Sequence, residues 1–117
     1  MSRSSRDKGK RGELEVVAAF KEIGAPAYRS GSAQRASGSK VADVEGTAFW
    51  VEVCRSAGTS HFAKMRQAVR DRDIAEDPRM PVVFKRQDRG EWLVTMRAED
   101  WMRLVTSGVP MIVGGEE

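Results

Sequence analysis

Two strand-like runs, the second half of VADVEGTAFWVEVCRS (41–56) and MPVVFKR (80–86), flank a segment of helical spacing, TSHFAKMRQAVRDRDIAEDP (59–78). That arrangement constrains the fold more than any other feature of the chain. Strands joined through a helix return side by side and parallel, whereas strands joined by a tight turn run antiparallel. Both kinds of joint are present here. VADVEGTAFWVEVCRS reads as a hairpin turning around Glu45-Gly46-Thr47, and MPVVFKR leads into EWLVTMR (91–97) through the turn sequence QDRG. A mixed sheet with helices on its faces is expected.

The other segments complete the order α-β-β-β-α-β-β-α, an α/β domain with a central mixed five-stranded sheet. From about Arg11 to Ile23, Leu14, Val17 and Ala18 recur at helical spacing, with Val16, Phe20 and Ile23 on the flank. Gly24 and Pro26 end that helix. AYRS (27–30) is a short strand, SGSAQRASGSK (30–40) an exposed loop of small residues, and AEDWMRLVTSG (98–108) a last helix. In the second helix the apolar positions are Phe62, Met65, Ala68 and Val69, with Ile74 near the end. Residues 1–10 read as a flexible basic arm, 11–106 as one domain and 107–117 as a tail.

One cysteine, Cys54, and one histidine, His61, leave no intramolecular disulfide, no Cys-rich zinc site and little basis for His-rich zinc chemistry. A bound metal is therefore expected to rest on carboxylates, which points to Mg²⁺ or Mn²⁺. No apolar stretch approaches the ~20 residues of a membrane span, and the Ser-rich basic start lacks a signal-peptide core. A reducing cytoplasm is expected. The net charge of +3 is unevenly spread: residues 1–40 hold nine Lys or Arg against four acids, and residues 41–117 hold eleven against thirteen. A basic first third suits a phosphate-rich partner.

Within the hairpin, Trp50, Glu52 and Cys54 point to one face of the second strand, and Phe49, Val51 and Val53 to the other. Asp43 and Glu52 lie on its two arms, where cross-strand pairing can bring them together. Neighbouring carboxylates repel, and a divalent cation relieves that repulsion. The bland alternative is a turn acid and an exposed strand acid. Glu13, in the first helix, is also explained by the helix dipole alone.

GKRGELE, YRSGS, VADVEG and WVEVC together resemble the PD-(D/E)XK nuclease superfamily, and within it the archaeal-type and phage-type Holliday-junction resolvases. The resemblance covers roughly residues 8 to 105. It matches Gly9 and Glu13 to a glycine and helical Glu, Arg29 and Ser30 to a strand ending in Arg-Ser, and Asp43 and Glu52 to the motif acids. Gln67 matches a Gln on the following helix. The resemblance implies a restriction-endonuclease-like fold, a Mg²⁺ site on Glu13, Asp43 and Glu52, with Mn²⁺ able to substitute, and cleavage of branched DNA in recombination. It further implies a homodimer, because a four-way junction has near two-fold symmetry, and a prokaryotic cell or phage-infected host.

The departure is Cys54, where the family pattern has a lysine. Four readings follow: a lysine moved elsewhere, with Lys40, Lys64 or Arg55 reaching the same point; an inactive relative that binds branched DNA without cutting it; a substitution peculiar to this chain; or a packing cysteine beside a site that needs no lysine. Phosphate contacts are expected from Arg3, Arg6, Lys8, Lys10, Arg11, Arg29, Ser30, Ser32, Arg35, Lys40 and Lys64. The competing reading of the arm is a solvated charge run. His61, near a helix start, reads as structural or as a minor phosphate contact, and Trp50, Trp92 and Trp101 as core or interface residues.

Overall fold

The computed structural model describes residues 3–31 and 40–107. Its elements are α1 (Arg3–Glu22), β1 (Tyr28–Arg29), β2 (Val44–Glu45), β3 (Phe49–Cys54), α2 (His61–Ile74), β4 (Met80–Lys85), β5 (Leu93–Met96) and α3 (Ala98–Thr106). The five strands form one sheet in the order β1-β2-β3-β4-β5. β3 and β4 pair in parallel and every other neighbouring pair is antiparallel. The helix between two buried apolar strands thus sets the one parallel step, as its position in the sequence requires.

The alternation in β3 separates two cores. Val51 and Val53 join Val16 and Val17 of α1, with Val44 and Val82, on one face. Trp50 and Cys54 join Met65 and Ala68 of α2, with Val83 and Ala42, on the other. Phe20 of α1 meets Phe84 of β4 edge to face at 5.6 Å.

Three expectations are corrected. Helix α1 begins at Arg3, ahead of the start expected at about Arg11. On this earlier stretch Lys8 is anchored by Asp88 at 3.0 Å. The buried stripe of α1 runs through Gly12, Glu13, Val16 and Val17, while Leu14 and Ala18 face outward. The rotation follows from Gly12, whose missing side chain lets Arg55 lie against the helix: a Cβ there would stand 2.9 Å from Arg55 Cγ. In α2 the buried residues are Met65 and Ala68, and Phe62 is 78 % exposed. Lys64 and Asp71 are largely covered, so the inner stripe passes through Lys64, Met65, Ala68 and Asp71, and Phe62 falls outside it.

The hairpin turn is built on Gly46 at φ 83°, with no room for a Cβ against the Pro26 carbonyl oxygen. Gly46→Ala is therefore expected to cost about 2–4 kcal/mol, combining left-handed strain with a backbone clash. Chemical denaturation measures it; a change below about 0.5 kcal/mol would show that the turn simply rearranges. At the far end, Asp100 is fully buried and held by Arg97 Nε at 2.9 Å and Arg103 Nη1 at 3.0 Å. Removing it strands the Arg97 guanidinium and leaves Arg103 only Glu99, at 3.7 Å. Both arginines are partly solvated, so Asp100→Ala is expected to cost about 2–3 kcal/mol, toward the low end for broken buried pairs, read from the same denaturation curves.

Candidate functional site

The register that pairs Val44 with Val51 sets Asp43 opposite Glu52 one step further along. Asp43 is fixed by its own backbone and side chain. Its N–H donates to the Val51 carbonyl at 2.9 Å, and its Oδ2 accepts the Val53 N–H at 2.9 Å. Its carbonyl accepts from the Ser30 N–H at 3.1 Å and from Ser30 Oγ at 3.3 Å. Ser30, Asp43 and Glu52 therefore form one row across β1, β2 and β3.

Glu52 is 4 % exposed, which removes the reading of an exposed strand acid. Trp50 Nε1 donates to its Oε2 at 2.9 Å, and Lys64 Nζ of α2 stands 3.9 Å from its Oε1. Burial above all, then the charge and hydrogen bond of Asp43, push the Glu52 carboxyl up to about 9; Lys64 and Trp50 pull it down by less. At neutral pH the Glu52 carboxyl therefore keeps its proton, hydrogen-bonded to Asp43.

Glu13 is buried on α1 but turned to Arg29, whose Nε donates to its Oε1 at 2.6 Å. The structure thus joins two of the three expected acids directly. Among the described residues no group of three or more His, Cys, Asp or Glu side chains is gathered for a metal. The donor pair still suits a hard divalent cation, since Mg²⁺ is held by one or two carboxylates with phosphate oxygens and waters completing its shell.

The three candidate cations separate cleanly. Arg55 lies on the opposite face, paired with Asp88 at 2.8 Å and stacked over Trp92 at 5.9 Å. Lys40 reaches Asp71 at 3.8 Å. Only Lys64 of the three meets Glu52. Gln67, half-buried, sits one turn after Lys64 on α2. Comparison with protein-family models, curated proteins and solved structures finds no match for this chain.

Cys54 is a buried free thiol whose Sγ lies 3.8 Å from the Ser56 carbonyl. Directly beside it in the parallel register is Lys85, a residue the sequence reasoning missed. Lys85 is 8 % exposed and its Nζ donates to the same Ser56 carbonyl at 2.7 Å. Alternation along β4 was the available signal: Pro81, Val83 and Lys85 share a face, so the lysine that ends an apolar strand points inward.

Of the residues expected to meet phosphate, the side chains of Arg3 and Arg6, and Ser32 and Arg35 altogether, lie outside the described residues. Lys10 and Arg11 are exposed on α1. Lys8, Arg29, Lys40 and Lys64 are each paired with an acid. No helix among the described residues is long and apolar enough to cross a membrane.

Proposed function

We propose that this chain is a metal-dependent, structure-selective DNA endonuclease with a restriction-endonuclease-like fold, cutting branched DNA as a Holliday-junction resolvase does and working as a homodimer. The observation that carries the reading is Lys64 at Glu52: α2 delivers an ammonium to the acid pair, supplying from another element the cation that Cys54 does not. Asp43 and Glu52 would hold Mg²⁺ or Mn²⁺, which when bound supplies Lewis-acid stabilisation of the scissile phosphate and an activated water. Lys64 offsets charge beside the acids, Gln67 stands next to it on α2, and Glu13 holds Arg29. With no array of side chains suited to reading bases, selectivity would come from junction shape and phosphate positions.

A second reading, a branched-DNA-binding protein of the same fold without catalysis, is favoured by one observation. Glu52 is so deeply covered and so readily protonated that a metal must displace a proton to bind it. Cleavage of a labelled four-way junction in Mg²⁺ and in Mn²⁺ separates the two. Cutting that disappears in Glu52→Gln supports the endonuclease; junction binding without cutting at any metal concentration supports the binding protein.

A further inference from the structure

Beyond the acid pair, at the C-terminal ends of β3 and β4, lies a cleft of about 570 Å³ that the proposed chemistry does not use. Three elements build it: the loop after β3 with the first residue of α2 (Ser60, His61), the end of β4 (Lys85, Arg86), and the β4–β5 turn (Gln87). Its chemistry is that of an anion site. Lys85 brings an ammonium that is nine-tenths buried, has three N–H donors and meets one neutral carbonyl; no carboxylate pairs with it among the described residues. A buried charge met only by a carbonyl is costly and calls for a counter-charge.

The imidazole points the same way. His61 Nδ1 is bound to Thr95 Oγ1 at 2.6 Å, which fixes the ring and leaves Nε2 without a partner among the described residues. The α2 N-terminus adds its dipole: Ser60, whose Oγ accepts the Ala63 N–H, and His61 both line the cleft. Glu91 at the exposed rim is the one acid lining the cleft; of the two cations that line it, Arg86 is paired with Glu15 at 3.1 Å, which leaves Lys85 as the charge the cleft offers.

We propose that this cleft takes a phosphate group, held by Lys85, His61 and the first turn of α2. The inference rests on the proposed nuclease reading for the source of that phosphate. Lys85 is level with Cys54, two residues beyond Glu52 on the same face and on the order of 7 Å from it along the strand. One nucleotide of an extended strand spans such a gap, so the cleft holds the phosphate next to the one at the acid pair. A free phosphate compound would satisfy the same groups, and the test distinguishes the two.

Inorganic phosphate is titrated into the full chain without divalent metal, following backbone amides 60–64 and the His61 ring by NMR. A labelled four-way junction is then titrated by anisotropy, with and without phosphate. The expected result is saturable shifts confined to these groups, competition between phosphate and junction, and a loss of phosphate affinity of at least about tenfold in Lys85→Met and in His61→Gln. Unperturbed amides across the titration would overturn the site, as would variants that fold and bind phosphate unchanged. Saturable shifts without competition would keep the phosphate site and overturn its placement on the strand. None of these readouts uses Asp43, Glu52 or a metal, so the nuclease reading can fail while the cleft stands, and the reverse.

Discussion

Metal-free protein is expected to lose stability steadily as pH rises from about 4.5 toward about 9, and Glu52→Gln to abolish most of that loss. In the unfolded chain Glu52 gives up its proton near 4.5, whereas in the folded chain burial and Asp43 hold the proton until about 9. Between those values the native state binds more protons than the unfolded state, so stability falls with rising pH. Below 4.5 both states are protonated and the group costs nothing. Within the window the slope approaches about 1.4 kcal/mol per pH unit for a fully coupled group.

Glutamine removes the titration while keeping the contacts. Its amide N–H₂ donates to Asp43 in place of the Glu52 carboxyl proton, and its carbonyl accepts from Trp50 Nε1 as Oε2 does now. At pH 8 in EDTA the variant should therefore be more stable than the native chain by at least about 2 kcal/mol. Denaturation curves at several pH values read this directly. A native chain with flat stability from pH 5 to 9 would mean that Glu52 ionises freely, with water or Lys64 compensating it.

Much of this arrangement was legible in the sequence, for identifiable reasons. Period-two alternation in FWVEVC put Trp50, Glu52 and Cys54 on one face and the valines on the other, and β3 divides that way between two cores. The Gly46 turn and a helix flanked by apolar strands fixed the antiparallel and parallel steps. The facing of α1 was not legible, because two apolar stripes compete along it. The choice between them depends on Gly12 against Arg55, a contact between residues far apart in sequence. Phe62 misled for a related reason: the inner stripe of α2 is drawn by Lys64 and Asp71, which a hydrophobic pattern cannot see.

The acid pair was found because cross-strand neighbours follow from hairpin register alone. That Glu13 faces Arg29, and that Lys64 rather than Lys40 or Arg55 meets Glu52, depends on how helices sit on the sheet. The alternation of β4 turns Lys85 inward, but that it stands beside Cys54 depends on the β3–β4 register.

Lys64→Met is expected to lower junction cleavage by at least about a hundredfold, while Cys54→Lys should not raise it. The two variants test where the cation of the site resides. Methionine keeps the length and much of the packing of the lysine stem on α2 but leaves the acid pair without its ammonium. Lysine at 54, by contrast, would enter a buried position level with Lys85 across the parallel pair. Two ammonium groups side by side repel, and neither has a carboxylate partner there. The substitution should cost about 1–3 kcal/mol of stability rather than repair a missing group. This gives a physical reason for cysteine at that position: the neighbouring strand already carries a cation, and a small, weakly polar thiol fits beside it where a second lysine does not. Cleavage rates at saturating Mg²⁺ with melting temperatures for both variants decide the matter. Faster cutting by Cys54→Lys with an indifferent Lys64→Met would return the cation to β3 and reduce the Lys64–Glu52 contact to an ordinary ion pair.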